Sequence, residues 1–364
     1  MPDLPTTFPE RVGRYDLLLP IAAGGMATVY LARSEGIGGF AREVALKLTH
    51  AHLRSDPRFA ADLIEEAKLA ARIRHPNVVP VLDVGDDAAG IYLVMEYVEG
   101  EALGALARAA SRRGERVPLA IGLRILVDAL AGLHAAHELK DGAGRSIGLV
   151  HRDFSPQNLL VDVAGRGLLA DFGVAKAATR PGHTMAGFVK GKVAYMSPEQ
   201  ARGLALDRTC DVWAAGVVAW ELATGKRLYP PGDEVNRLLK IVTEQPPRAR
   251  AIADDVPAAL DEAIARALAM DARRRTPTAA ALAKDLTRSA AEIGGLAELD
   301  DVAAYVEEMA GEALVARRAR VEAVLLRRAS FAAATELAPA RALDDMPTSD
   351  ERPRGELRDP SSES

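Results

Sequence analysis

The chain has 364 residues, 49% hydrophobic and 27% charged, with a net charge of −5. That balance excludes a fibrous or wholly disordered chain, and the length allows two packed lobes plus an appendage. A pI near 5.9 gives no reason to expect nucleic acid or an anionic membrane as partner.

One cysteine cannot form an internal disulfide. The opening MPDLPTTFPERVG lacks the basic and apolar regions of a secretion signal. The apolar run at 212–220 is far short of the ~20 residues of a membrane helix. A cytoplasmic protein with no membrane partner is expected.

Residues 1–13 are Pro-rich and expected to be loose. Short apolar or alternating runs predict strands at 15–22, 29–32, 43–48, 79–84 and 91–96, with one helix, 59–73, among them. From residue 101 the period turns helical: 103–112, then 119–139 behind Pro118. A glycine-rich insertion with an Asp141-Gly142 turn follows, and further helices are predicted at 208–224, 235–243, 257–270 and 278–293. A small β-rich lobe (14–96) before a larger helical one (101–290) is an α+β, two-lobe plan.

Beyond residue 290, Leu299, Val302, Val306, Met309, Leu314, Val321 and Leu325 fall near helical spacing. Residues 291–331 therefore read as helices that either pack on the large lobe or bind a regulatory partner; the spacing does not choose. Residues 332–364 are rich in Pro, Ser and charge and are expected to be disordered. Within the extension, Arg327-Arg328-Ala329-Ser330 reads as a cationic helix end or a phosphosite.

Four separated elements carry the chemistry. Ile21-Ala22-Ala23-Gly24-Gly25-Met26-Ala27-Thr28-Val29-Tyr30 sets a glycine turn between two strands, where backbone N–H groups can approach a triphosphate. Alone, it is equally a plain hairpin. Lys47 ends the apolar strand Val44-Ala45-Leu46-Lys47 and, if buried, needs a partner that Glu66 on the following helix can supply. His151-Arg152-Asp153-Phe154-Ser155-Pro156-Gln157-Asn158 places a proton acceptor, Asp153, five residues before an amide, Asn158, that can face a metal. Asp171-Phe172-Gly173 offers a carboxylate for Mg²⁺.

Together, in this order, these elements resemble the eukaryotic-type protein kinases, and the ending Ser197-Pro198-Glu199-Gln200 looks like the bacterial Ser/Thr branch. Met95-Glu96-Tyr97-Val98 looks like the hinge that meets adenine, Asp211-Val212-Trp213 like the start of the large lobe's central helix, and Arg275 like the arginine that pairs with Glu199. The resemblance implies a two-lobe protein kinase fold over residues 14–290. It also implies an ATP-dependent serine/threonine protein kinase acting on protein substrates, itself included. Its cofactors would be ATP and Mg²⁺, with Mn²⁺ as the alternative ion.

By the same resemblance, Asp153 orients the substrate hydroxyl and accepts its proton, Lys47 positions the α- and β-phosphates, and Glu66 holds Lys47. Asn158 and Asp171 hold the metal. Ile21, Gly24, Val29, Ala45, Met95, Glu96, Val98 and Leu160 surround the nucleotide. Arg152 and Lys176 resemble a basic pocket for a phosphate on Thr179 or Thr184.

Three departures stand out. Ala22 and Ala27 occupy glycine positions of the loop, which should weaken ATP affinity without abolishing it if neither needs a positive φ. Ser155 stands where Ser/Thr kinases usually carry a lysine, and Lys192 stands where they usually carry a threonine. A hydroxyl and an ammonium have traded places, so Lys192 is expected to return the missing charge to the γ-phosphate, or else to be a surface lysine. Two rivals follow: a pseudokinase scaffold, disfavoured by the retained metal ligands, and a small-molecule phosphotransferase, disfavoured by the peptide-platform motifs from Tyr195 to Trp213.

Overall fold

The alternating apolar residues of the first hundred positions assemble one antiparallel sheet in the computed structural model, which describes residues 4–5, 7–50, 57–172 and 192–336 (for 57–59, 192 and 331–336, the backbone alone). Its strands are β1 (Arg11–Val12), β2 (Tyr15–Ala23), β3 (Ala27–Glu35) and β4 (Ala41–Thr49), then, after helix α1 (Pro57–Ala70), β5 (Val81–Asp87) and β6 (Gly90–Glu96). The spatial order is β1-β2-β3-β4-β6-β5. One face buries Val12, Tyr15, Leu17, Tyr30, Val44, Leu46 and Val94.

The expectation that all of 1–13 is loose is corrected at its end. Val12 is completely buried and pairs with Tyr15 across a turn at Gly13, whose φ is +54°. The apolar valine has a core to enter, and the glycine permits the reversal.

A three-stranded sheet follows, of β7 (Gly100–Ala102), β8 (Leu159–Asp162) and β9 (Gly167–Leu169) in that order. The helices of the larger lobe are α2 (Leu103–Arg112), α3 (Leu119–His137), α4 (Pro198–Ala201), α5 (Thr209–Thr224), α6 (Glu234–Thr243), α7 (Ala258–Ala267), α8 (Ala279–Ala290) and α9 (Leu299–Glu336). Their ends follow local chemistry: Pro118 stands at the start of α3, Asp233 Oδ1 accepts from Val235 N–H at the start of α6, and Thr278 Oγ1 accepts from Ala281 N–H at that of α8. Helix α3 is apolar and long enough to cross a membrane by composition. In this fold its Leu123, Ile125, Leu126, Leu130 and Leu133 are completely buried, packed with Val212, Trp213 and Val217 of α5 in the core of the large lobe.

The chain divides into two compact units, Met1–Val321 and Glu322–Ser364. Where several extension helices were expected, a single helix, α9, runs from Leu299 to Glu336. Within the first unit, its Val302, Val306 and Leu314 are at most 3% exposed and join the core of the large lobe, so this stretch packs inward. In the second unit the helix continues, with Ser330 Oγ donating to Leu326 O at 3.0 Å. Of the stretch expected to be disordered, 332–364, the first five residues are instead helical backbone continuing α9 to Glu336, and the rest lies outside the described residues.

Candidate active site

Backbone pairing sets the roof of the site. Gly24 N–H donates to Ala27 O at 2.9 Å, closing the turn between β2 and β3. Ala22 and Ala27 lie in the flanking strands, and neither is among the non-glycine residues with positive φ. The condition for tolerating alanine at both positions is therefore met. His50, which sequence reading passed over, braces this turn: its N–H donates to Met26 O, and its ring nitrogens lie 3.2 Å from Gly25 O and 3.3 Å from Thr28 Oγ1.

Strand pairing places Lys47 opposite Val29 on one side and Leu93 on the other. Its ammonium, with the side chain 15% exposed, sits 2.8 Å from Asp171 Oδ1. The structure thus pairs Lys47 with Asp171 rather than with Glu66, which is buried on α1 at 6% exposure. Asp171 adopts φ +62°, and its carboxylate reaches the ammonium; a largely buried cation takes the anion within hydrogen-bond distance.

Beneath the roof lies an apolar shelf. Ala45, Leu93 and Met95 of the small lobe cluster with Leu168 and Ala170 of the large lobe. Val29, Val98 and Leu160 pack against them and remain partly exposed, so an apolar surface shared by the two lobes, the candidate nucleotide slot, meets solvent at these three side chains. Ile21 is half-buried at the end of β2 outside that cluster, and Glu96 is exposed, its backbone N–H donating to Pro80 O.

The loop carrying Asp153 is held from below. Asp211, 1% exposed on α5, accepts from His151 N–H and Arg152 N–H at 2.7 Å each and lies 2.8 Å from His137 Nε2. Burial works to raise the Asp211 pKa, but His137 and the His151 N–H outweigh it and hold it below the usual carboxylate value. This anchorage supports Arg152 at φ +65°, unusual for a residue with a Cβ. Asn158 Nδ2 donates to Asp153 Oδ2 at 2.9 Å and to Asp153 O at 2.8 Å, which fixes the carboxylate.

Two backbone contacts join this loop to Asp171. Ala170 N–H donates to Asn158 O at 2.9 Å, and Ala170 O lies 3.0 Å from His151 Nε2. Phe172, 6% exposed, stacks edge-on against His151 with ring centroids 4.7 Å apart. Asp153, Asn158 and Asp171 are thereby brought to one place. With Asn158 Nδ2 engaged, its Oδ1 is the end available to a cation. An amide oxygen and a carboxylate are hard oxygen donors of the kind Mg²⁺ uses when phosphates and waters complete its shell.

Ser155 is 1% exposed, and its Oγ makes no hydrogen bond among the described residues. Glu199 and Arg275 form the expected fork, at 2.6 and 3.0 Å, with Arg275 also over the Trp213 ring. Gln200 Nε2 donates to Arg152 O and ties this platform to the catalytic loop. Lys176, Thr179 and Thr184 lie outside the described residues, as do Gly173 and the side chain of Lys192.

Comparison with known proteins agrees with this geometry. The family model described as "Protein kinase domain" matches residues 15–286. The chain is 36% identical over 330 residues to "Tyrosine-protein kinase MasK" of Myxococcus xanthus, covering 91% of this chain and 51% of that one. It is 34% identical over 274 residues to "Serine/threonine-protein kinase PrkC" of Bacillus subtilis, covering 75% and 40%. The chain thus spans only about half, or less, of the length of these two relatives. Among solved structures, the kinase domain of Mycobacterium tuberculosis PknI superposes with a TM-score of 0.60 at 27% identity, covering 78% of this chain and all of that one. With its fold, its site geometry and these matches in agreement, the chain belongs to the protein kinase family, in the eukaryotic-type branch found in bacteria.

Proposed function

We propose that this chain is an active serine/threonine protein kinase that moves the γ-phosphate of ATP to hydroxyls of protein substrates and of itself. One observation carries the reading: the Ala170 backbone, gripped by both His151 and Asn158, sets Asp153 and Asn158 beside the Asp171–Lys47 pair. A scaffold that merely bound nucleotide would have no use for this set of groups.

Adenine is received by the apolar surface that Val29, Ala45, Met95 and Leu160 share. Lys47 neutralises phosphate charge, and Asp153, steadied by Asn158, orients the incoming hydroxyl and takes its proton. Bound Mg²⁺, held by Asn158 and Asp171, would offset charge on the phosphate oxygens. Lys192, whose backbone opens a short 3₁₀ turn at Lys192–Tyr195, replaces the lysine missing at Ser155. A buried Ser155 hydroxyl cannot supply that charge itself. The buried lone thiol of Cys210 suits a cytoplasmic site, where ATP and Mg²⁺ are at hand.

The relative named as a tyrosine kinase, which covers 91% of this chain, favours a second reading in which tyrosine is the acceptor. Radiolabelled ATP with a basic protein substrate, followed by phosphoamino-acid analysis, separates the two. Phosphoserine or phosphothreonine, lost in Asp153→Asn, supports the first reading; phosphotyrosine alone supports the second; label equal in both proteins refutes both. Lys192→Met should lower kcat about 10³-fold if its ammonium acts as a transition-state cation, and a kcat within a few-fold of the parent removes that role.

A further inference from the structure

The first turns of α9 are anchored to the large lobe at two places away from the cleft. Gly165, in the β8–β9 turn at φ +83°, lies so close to Leu299 O that an added Cβ would sit 2.1 Å from it. Arg113, just past the end of α2, donates to Glu308 Oε1 at 2.8 Å and to Glu308 O at 3.0 Å. So fixed, the helix delivers two successive arginines to the segment that joins the lobes.

Arg317 Nη1 donates to Gly100 O at 3.1 Å and Nη2 to Glu101 Oε2 at 3.0 Å. Although burial opposes the charge, Tyr97 and Glu101 raise the guanidinium pKa above its ordinary value. Arg318 pairs with Glu99. The two differ in setting: the Arg317 side chain is 20% exposed and its Glu101 partner 23%, whereas Arg318 and Glu99 are 58% and 40% exposed.

The segment they hold has little slack. Gly100 leaves no room for a Cβ, which would meet Val161 O at 1.9 Å, and the β7–β8 pairing sets Ala102 opposite Leu160. Residues 97–101 therefore run directly from the end of β6, beside Met95, through Val98 to β7, which pairs with Leu160.

We propose that Arg317 is a positioning residue for nucleotide binding, and that residues 299–321 of α9 are a strap that sets the affinity of the cleft for adenine nucleotides. The proposal rests on the reading of the slot as a nucleotide site. By clamping Gly100 and Glu101 at once, a planar guanidinium fixes the end of the backbone segment on which Val98 is carried. Arg318 makes an exposed pair of the kind that contributes little and is screened by salt.

The test uses the full chain with Mg²⁺, titrated with a fluorescent ADP analogue, beside steady-state kinetics with ATP varied. Arg317→Ala should weaken ADP binding and raise KM for ATP by the same factor, about 5- to 50-fold, an ordinary coupling between separate sites. At saturating ATP its kcat should stay within about twofold of the parent, since Asp153 and Asn158 are held by other contacts. Arg317→Lys, which keeps charge but loses the fork, should recover part of the affinity, and Arg318→Ala should bind as the parent does. ADP affinity unchanged in Arg317→Ala, or affinity lost equally in Arg318→Ala, overturns the proposal. So does a fall in kcat with KM unchanged, which would mark a merely structural contact. If the parent protein itself binds no ADP, the nucleotide reading falls and takes the proposal with it.

Discussion

Asp211→Asn probes the link between a buried carboxylate and the geometry of the catalytic loop. Its two oxygens satisfy two backbone N–H groups at 2.7 Å and His137 at 2.8 Å, in a residue only 1% exposed. Asparagine keeps the shape but turns one oxygen into an NH₂ group that must face a donor. The cheaper orientation places it toward Arg152 N–H. That choice removes one charge-assisted hydrogen bond and orphans one buried donor, together about 3–5 kcal/mol. It also frees Arg152 from φ +65°, a conformation that itself costs a residue with a Cβ about 1–2 kcal/mol.

A loss of that size lies below the ~5–15 kcal/mol stability of a whole domain, so the variant should fold with a lowered Tm. Its local effect is larger. A loop displaced by about 1 Å loses on the order of 10²-fold in rate, so kcat should fall by at least that factor. Affinity for ADP should hold within about threefold, because Val29, Ala45, Met95 and Leu160 belong to other elements. Peptide phosphorylation, fluorescent-ADP titration and thermal unfolding measured on one preparation decide the matter. A kcat within threefold of the parent, with Tm unchanged, would refute the reasoning.

Asp153→Asn should reduce kcat by about 10³-fold while leaving Tm and ADP affinity near parental values, read by kinetics and calorimetry. Arg275→Ala leaves Glu199 buried without its fork and should cost about 3–5 kcal/mol in urea unfolding, with Arg275→Lys recovering little of it. Gly165→Ala combines a left-handed φ with a Cβ placed 2.1 Å from Leu299 O, and should cost about 2–4 kcal/mol by the same measurement. Burial pushes the Glu199 carboxylate up, but Arg275 outweighs it and holds its pKa below the ordinary value, as partners do for Asp211. The stability these groups add is therefore complete above the ordinary carboxylate range and lost as pH falls through their lower folded values. Tm should drop on the acid side below about pH 4, and less steeply in Glu199→Gln; an equally steep drop in that variant would remove Glu199 from the account.

Much of the architecture was legible because its signals are local. Helix 103–112 and the strands around Lys47 follow from periodicity, and the Glu199–Arg275 fork follows from motif resemblance. Where the expectation failed, the deciding partner was remote in sequence. Lys47 was assigned to Glu66, 19 residues on, yet it meets Asp171, 124 residues on. His50 and His137 carry no motif, and a lone histidine in an apolar stretch looks the same whether it braces a loop or merely fills space.

The amino-acid sequence alone determined the family, the two-lobe plan and the motif residues proposed to meet phosphate, because glycine turns, apolar periods and short motifs are properties of neighbouring positions. Only the tertiary structure decided which carboxylate takes the Lys47 ammonium, how Asp211 holds the loop beneath Asp153, and that residues 299–321 of α9 lie inward against the large lobe with Arg317 on the linker. An amphipathic helix presents the same apolar stripe to a partner or to its own core. The choice between them is made by the surface that long-range folding places opposite it.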